Sequence, residues 1–432
     1  MRKIKIDEVE NMKIQGKDYR QIMDWVCEDQ SEIASFLSQL VRCKTPSTTG
    51  DTREAVELIK GYFEKENLPY DVLAYCKTMP NIISSFDGAN AGRHLMLNGH
   101  LDVMPAGKEP GWTDDPWSGE IRDGRVWGRG TSDMKAGVTA MIFAYKYLYR
   151  MRGRINGRLS ISLVADEETG WGRGTGYLLS TIPERMNADC VLSGEPSGIG
   201  AISFASKGFM MLTGKIKTRG AIAGYSDDSK NAIDLAADVI RDLKQLENMS
   251  VEIPEEINTL LRDDTWLALH RTVRGEKEAN LLKKITVDVC TIKGGSLSVV
   301  IPSDCCFTVS IVFPQGTDVD LLTKKVNEIS DKYDEVSLHI DGVDMPDMSD
   351  KNGELPSIIQ SAAESIGLKR PVLTPDIAIS DCRYWRYKGI PAYWFGPGGE
   401  DCSAANENVL IEDLLNTVRI HAITALEYLQ NQ

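Results

Sequence analysis

Histidine is scarce in this chain, with five residues in 432, so a site built on imidazole has few side chains to draw on. Long apolar runs are missing as well. No stretch approaches the roughly eighteen consecutive apolar residues of a membrane span, and the opening segment MRKIKIDEVENMKIQGKDYR is too polar for a signal peptide. A cytoplasmic protein with no membrane partner is expected. There is no Lys/Arg-rich run and the formal net charge is -14, so a phosphate backbone is repelled over most of the surface and nucleic acid is excluded as a partner. The nine cysteines form no CxxC pair and show no regular spacing, which leaves them as reduced, buried, small hydrophobes. Internal repeats and low-complexity segments are absent.

What is present is a composition that is 42% hydrophobic, enough for a sizeable core and better matched to two domains than one. Apolar residues at three- and four-residue spacing predict helices over about 17 to 41 and 52 to 66. The runs NIISSFDG, HLMLNGHLDV, RLSISLVADE and DCVLSGEP are short and rich in apolar and β-branched residues, and helix-length segments such as MKAGVTAMIFAYKYLYR separate them. This alternation predicts an α/β fold with a mostly parallel central sheet flanked by helices, whose site residues sit at the carboxyl ends of strands. From about 207 to 345 the order becomes strand, helix, two strands, helix, strand, that of an inserted ferredoxin-like α+β domain. The polar stretch of about 250 to 280 has no place in that pattern. The body would then comprise 1–206 and 346–432, carrying the metal-binding residues, with 207–345 as a lid.

Four clusters carry candidate chemistry. His100 and Asp102 alternate on a strand end and point to one side, where a carboxylate can orient an imidazole, although such a pair is also an ordinary hydrogen-bonded one. Asp133, in the glycine-rich turn WGRGTSDMKAG, either caps the following helix or bridges two cations. In Asp166-Glu167-Glu168 adjacent side chains diverge, so one glutamate can bind metal while its neighbour acts as general base; a solvated acidic loop is the alternative. Glu195, in SGEP, ends another apolar strand.

In this order, with this spacing, and together with the block GWTDDPWSGEIRDGRVWGRGTSDMKAG and the later SDCR, GPGG and ANENV segments, the clusters resemble the M20 family of zinc-dependent amide hydrolases. That family includes acetylornithine deacetylase, succinyl-diaminopimelate desuccinylase and carboxypeptidase G2 types. The resemblance implies a zinc-exopeptidase-like body and a site of one or two zinc ions, with cobalt or manganese as substitutes. His100, Asp133 and Glu195 would hold the first ion, and Asp133 and Glu168 would contribute to the second. Asp102 would orient His100, and Glu167 would be the base. A cis peptide after Asp133 and a homodimer formed through the lid are also implied. Arg383, in SDCR, is suited to clamp a substrate carboxylate through two parallel hydrogen bonds.

The resemblance breaks at several positions. The histidine that completes the second zinc site in the family is matched here by Ser403, with Cys402 beside it as an alternative thiolate donor. The lid histidine that stabilises the oxyanion is matched by Gly224, with Tyr225 next to it, and losing such a donor costs roughly two to three orders of magnitude in rate. Two substrate-contacting features are replaced by Val299 or Val300 and by Ser310-Ile311-Val312. His94, His270, His339 and His421 fall in no matching motif and read as structural. The expected function is metal-dependent hydrolysis of an amide in an N-acyl amino acid, peptide or related small molecule. The alternative is a non-hydrolytic relative that binds a ligand or transfers an acyl group.

Overall fold

The computed structural model describes residues 16–107, 111–170 and 172–431. They divide into two compact units, one formed by the described residues up to 204 with 349–374 and 380–431, and the other by 205–348 and 375–379.

In the first unit a mixed sheet runs in the order Asp71–Ala74, Pro80–Asp87, Asn156–Val164, Asn90–His100, Cys190–Ser193, Ala392–Trp394, Ala201–Ser206. The pairings at its centre are parallel and the outer ones antiparallel. The central strands are buried on both faces, which is why LMLNG, SISLV and CVLS read as nearly unbroken apolar or small-residue runs rather than as alternations. Helix Gly16–Arg42 buries a stripe at helical spacing that includes Ile22, Val26, Ile33, Leu37 and Leu40. Helices Ala136–Met151 and Ile411–Gln430 are apolar nearly all round because they pack on one another and on the sheet.

Strand register aligns the site. His100 lies opposite Val164 on one neighbour, and Asn98 lies opposite Ser193 on the other. The residues just past these strand ends, Asp102, Glu167 and Glu195, therefore emerge along one edge. Packing there is at its closest limit: a Cβ on Gly137 would overlap the Gly194 carbonyl oxygen, and one on Gly396 would overlap the carbonyl oxygens of Gly194 and Glu195. A second, small sheet was not anticipated. In it Asn408–Leu410 pairs with Arg125–Trp127, Asn408 opposite Trp127, and this delivers Glu407 to the turn that follows Trp127.

His421, on the last helix, is fully buried; its Nε2 donates to the Phe395 carbonyl at 2.6 Å, while Nδ1 has no hydrogen-bond partner. Burial pushes its pKa down from 6.5 to about 4. The unfolded chain thus binds this proton more tightly than the folded one. The contribution is intact above about pH 6.5 and is lost as pH falls from there toward 4, by about 2 kcal/mol on reaching pH 5. Urea unfolding at pH 8 and pH 5 should show that loss, and His421→Gln should remove it; an unchanged pH dependence in the variant would rule out His421 as its source.

In the second unit Thr286–Gly294, Asp304–Phe313, Gly208–Lys217 and Val336–Asp344 form an antiparallel sheet in that order. With helices Ala232–Lys244 and Val319–Asp331 packed against it around Leu212, Val239, Phe307 and Leu322, this is the ferredoxin-like arrangement. The stretch with no place in the sequence pattern forms three short helices, Glu255–Arg262, Asp264–Arg274 and Glu276–Leu281. The Asp263 carboxylate caps the second of them by accepting from the amides of Thr265 and Trp266.

All nine cysteines are free, and only Cys190, Cys305 and Cys382 are buried. Cys76, Cys290, Cys306 and Cys402 are exposed, so the expectation of uniformly buried thiols is corrected. Among the described residues no helix is long and apolar enough to cross a membrane.

Candidate metal centre

His100 closes its strand and is 1% exposed. Its Nδ1 lies 2.8 Å from the Asp102 backbone oxygen. A carbonyl only accepts, so Nδ1 carries the proton, and in the neutral ring Nε2 presents a lone pair. Around Nε2 stand Asp133 Oδ1 at 3.2 Å, Glu195 Oε2 at 3.6 Å and Glu167 Oε2 at 3.9 Å. His100, Asp133 and Glu195 each offer one donor atom, all within 4.8 Å of one another.

Acceptors turned toward each other in a buried space repel unless a cation lies among them. Burial opposes charge on His100, but Glu195, Asp133 and Glu167 outweigh it and hold the imidazole well above its ordinary value. Burial raises the carboxyls in turn, Glu195 to about 7, and Glu167 well above its usual range with the Glu195 charge adding to it. One nitrogen and two carboxylate oxygens are a donor set suited to a divalent ion such as zinc, so the residues present fit a metal.

The supports differ in detail from expectation. Asp102 orients His100 through its backbone oxygen, and its carboxylate Oδ1 stays 3.7 Å from Nδ1. That carboxylate instead accepts from the amides of Glu167 and Glu168, both at 3.2 Å, fixing the acidic loop. Asp133 does not cap a helix. Helix Ala136–Met151 has Lys135 at its N-cap with no side-chain cap, and the Asp133 oxygens face His100 and Ser403. The Asp133-Met134 peptide is cis. Glu168 Oε1 accepts from the Met104 amide at 2.9 Å. Arg383 is 1% exposed, with Nη1 at 3.6 Å from Glu167 Oε1 and 3.8 Å from Asp381 Oδ1. It thus places its positive charge against Glu167.

Cys402 is an exposed residue, yet desolvation and the nearby Asp133, Glu407 and Glu168 charges push its thiol well up. His94, His270, His339 and His421 lie outside the cluster. Glu407, inside the ANENV segment, has no role in the sequence pattern. It is 0% exposed; Oε1 accepts from the amides of Ser132 at 2.7 Å and Asp133 at 3.1 Å, and Oε2 from the Gly130 amide at 3.0 Å and Arg129 Nη1 at 2.6 Å. One buried carboxylate therefore fastens the turn that carries Asp133.

Comparison with known proteins gives the same frame. The model of peptidase family M20/M25/M40 matches residues 96–427. Succinyl-diaminopimelate desuccinylase 2 of Ruegeria sp. (strain TM1040) is 26% identical over 392 residues, covering 87% of this chain and 90% of that protein. Among solved structures, an M20 family metallo-carboxypeptidase, Sso-CP2 from Sulfolobus solfataricus, superposes with a TM-score of 0.77 at 20% identity, covering 92% of this chain and 99% of the other. The YXEP protein of Bacillus subtilis, described as a dinuclear metal-binding peptidase from the M20 family, gives a TM-score of 0.62 at 14% identity, covering 93% and 99%.

Proposed function

The chain belongs to peptidase family M20/M25/M40, and from that premise we propose that it is a metal-dependent hydrolase of an amide bond in an N-acyl amino acid, peptide or related small molecule. The observation that carries this reading is the convergence of His100, Asp133 and Glu195 with the Glu167 carboxylate at their rim.

His100, Asp133 and Glu195 would hold the ion, with zinc proposed from the mixed nitrogen and oxygen donors. When bound it would supply Lewis-acid polarisation. The remaining work falls to side chains. Glu167 takes a proton from the attacking water as oxygen adds to the amide carbon, and returns it to the departing nitrogen as the C–N bond breaks, leaving an amine and a carboxylic acid that ionises to solvent. Arg383, beside Glu167 Oε1, steadies the base in its charged form. Asp102 keeps the His100 proton on Nδ1, and so keeps Nε2 available as a ligand.

The test is amine release from N-acetyl and N-succinyl amino acids and from dipeptides, using the full chain before chelation, after it, and after zinc is restored. Release should vanish with chelation and return with zinc. Zinc-loaded protein that binds members of this panel without releasing amine would overturn hydrolysis in favour of a binding protein.

A further inference from the structure

We propose that the centre takes a single divalent ion, and that the Ser403 hydroxyl occupies the side of Asp133 where a second ion would sit in a dinuclear relative. This rests on the metal-dependent reading above and sets the stoichiometry that reading leaves open.

The argument follows the oxygens. Asp133 Oδ1 faces His100 Nε2 at 3.2 Å and belongs to the three-donor cluster. Its other oxygen, Oδ2, accepts from Ser403 Oγ at 3.3 Å. A carboxylate that bridges two cations gives one oxygen to each; here the second oxygen is met by a neutral hydroxyl. Glu168, the other donor expected on that side, already accepts the Met104 amide on Oε1 at 2.9 Å. That leaves two carboxylates and no nitrogen or thiolate, whereas zinc sites take three or four protein ligands. Cys402 does not complete a set: among the described residues the only group of three or more potential donors is His100, Asp133 and Glu195. A serine hydroxyl is a poor zinc ligand but a good donor to a carboxylate, so it satisfies Asp133 at the cost of the second ion.

Zinc per chain decides the matter, measured by mass spectrometry after loading the chain of 432 residues with excess zinc and desalting. The wild type should retain one equivalent. Glu168→Gln and Cys402→Ser should also retain one, because neither residue binds the ion, and Ser403→His should rise to two. Two equivalents in the wild type, falling to one in Glu168→Gln or Cys402→Ser, would overturn the inference while leaving the hydrolase reading intact. No zinc in any variant would overturn both. A soluble Ser403→His that stays at one would overturn the role given to Ser403. Should that variant fail to fold, the wild-type value alone still decides between one ion and two.

Discussion

Glu167→Gln should lower kcat by roughly 10²- to 10⁴-fold, the range lost when a positioned general base is removed, while zinc content stays at the wild-type value. The substitution keeps the side chain's volume but removes both its charge beside Arg383 and its ability to accept a proton. Glu167 lies outside the three-donor cluster, with Oε2 3.9 Å from His100 Nε2, close enough to reach a water held there. The effect should therefore fall on kcat with little change in KM, because the contribution belongs to the transition state rather than to ground-state binding. Activity within tenfold of wild type would remove Glu167 from its role. Loss of zinc along with activity would make it a ligand instead of a base.

Glu407→Ala should weaken zinc binding by roughly 10- to 100-fold, as changes in groups that orient metal ligands commonly do, although Glu407 touches none of the three donors' side chains. Its carboxylate takes up the amides of Gly130, Ser132 and Asp133 together with the Arg129 guanidinium. Truncation leaves those amides without their acceptor and strands a buried cation, a loss on the order of 3–5 kcal/mol in stability. Glu407→Gln separates the two effects. It retains one acceptor oxygen for the Ser132 and Asp133 amides but turns an amino group toward Arg129, so stability should suffer more than zinc affinity. Zinc titration and urea unfolding of both variants would measure this. A zinc affinity unchanged in Glu407→Ala, with only stability lowered, would reduce Glu407 to a structural residue.

The strands that carry the site were legible because two-sided burial writes a continuous apolar run, and because each acidic cluster follows such a run. The inserted unit was legible from its alternation of strand and helix. The three helices between 255 and 281 were not. They are short and mostly exposed, burying few residues such as Ile257, Trp266 and His270, so their periodicity is weak. The cue that was available is local: a proline before Glu255 and an aspartate cap at 263. Glu407 escaped for a different reason. A lone acid before a three-residue strand carries no local signal, and its meaning comes from a pairing of Asn408–Leu410 with Arg125–Trp127 that only tertiary structure supplies. Sequence spacing shows that His100 and Asp102 share a face but not whether backbone or side chain makes the bond, and in the structure it is the Asp102 backbone oxygen that faces Nδ1.

The fastening of the Asp133 turn has a temporal side. Ser132 and Asp133 precede in the chain, by 275 and 274 residues, the carboxylate that holds their amides. All three donors leave the ribosome well before Glu407 does, and during that interval the turn lacks the contact that aims Asp133 at its neighbours. Closing so long a loop carries an entropic cost that must be met before the contact rewards it. Under the proposed metal-dependent reading, capture of the ion with full affinity is expected only once Asn408–Leu410 has paired with Arg125–Trp127.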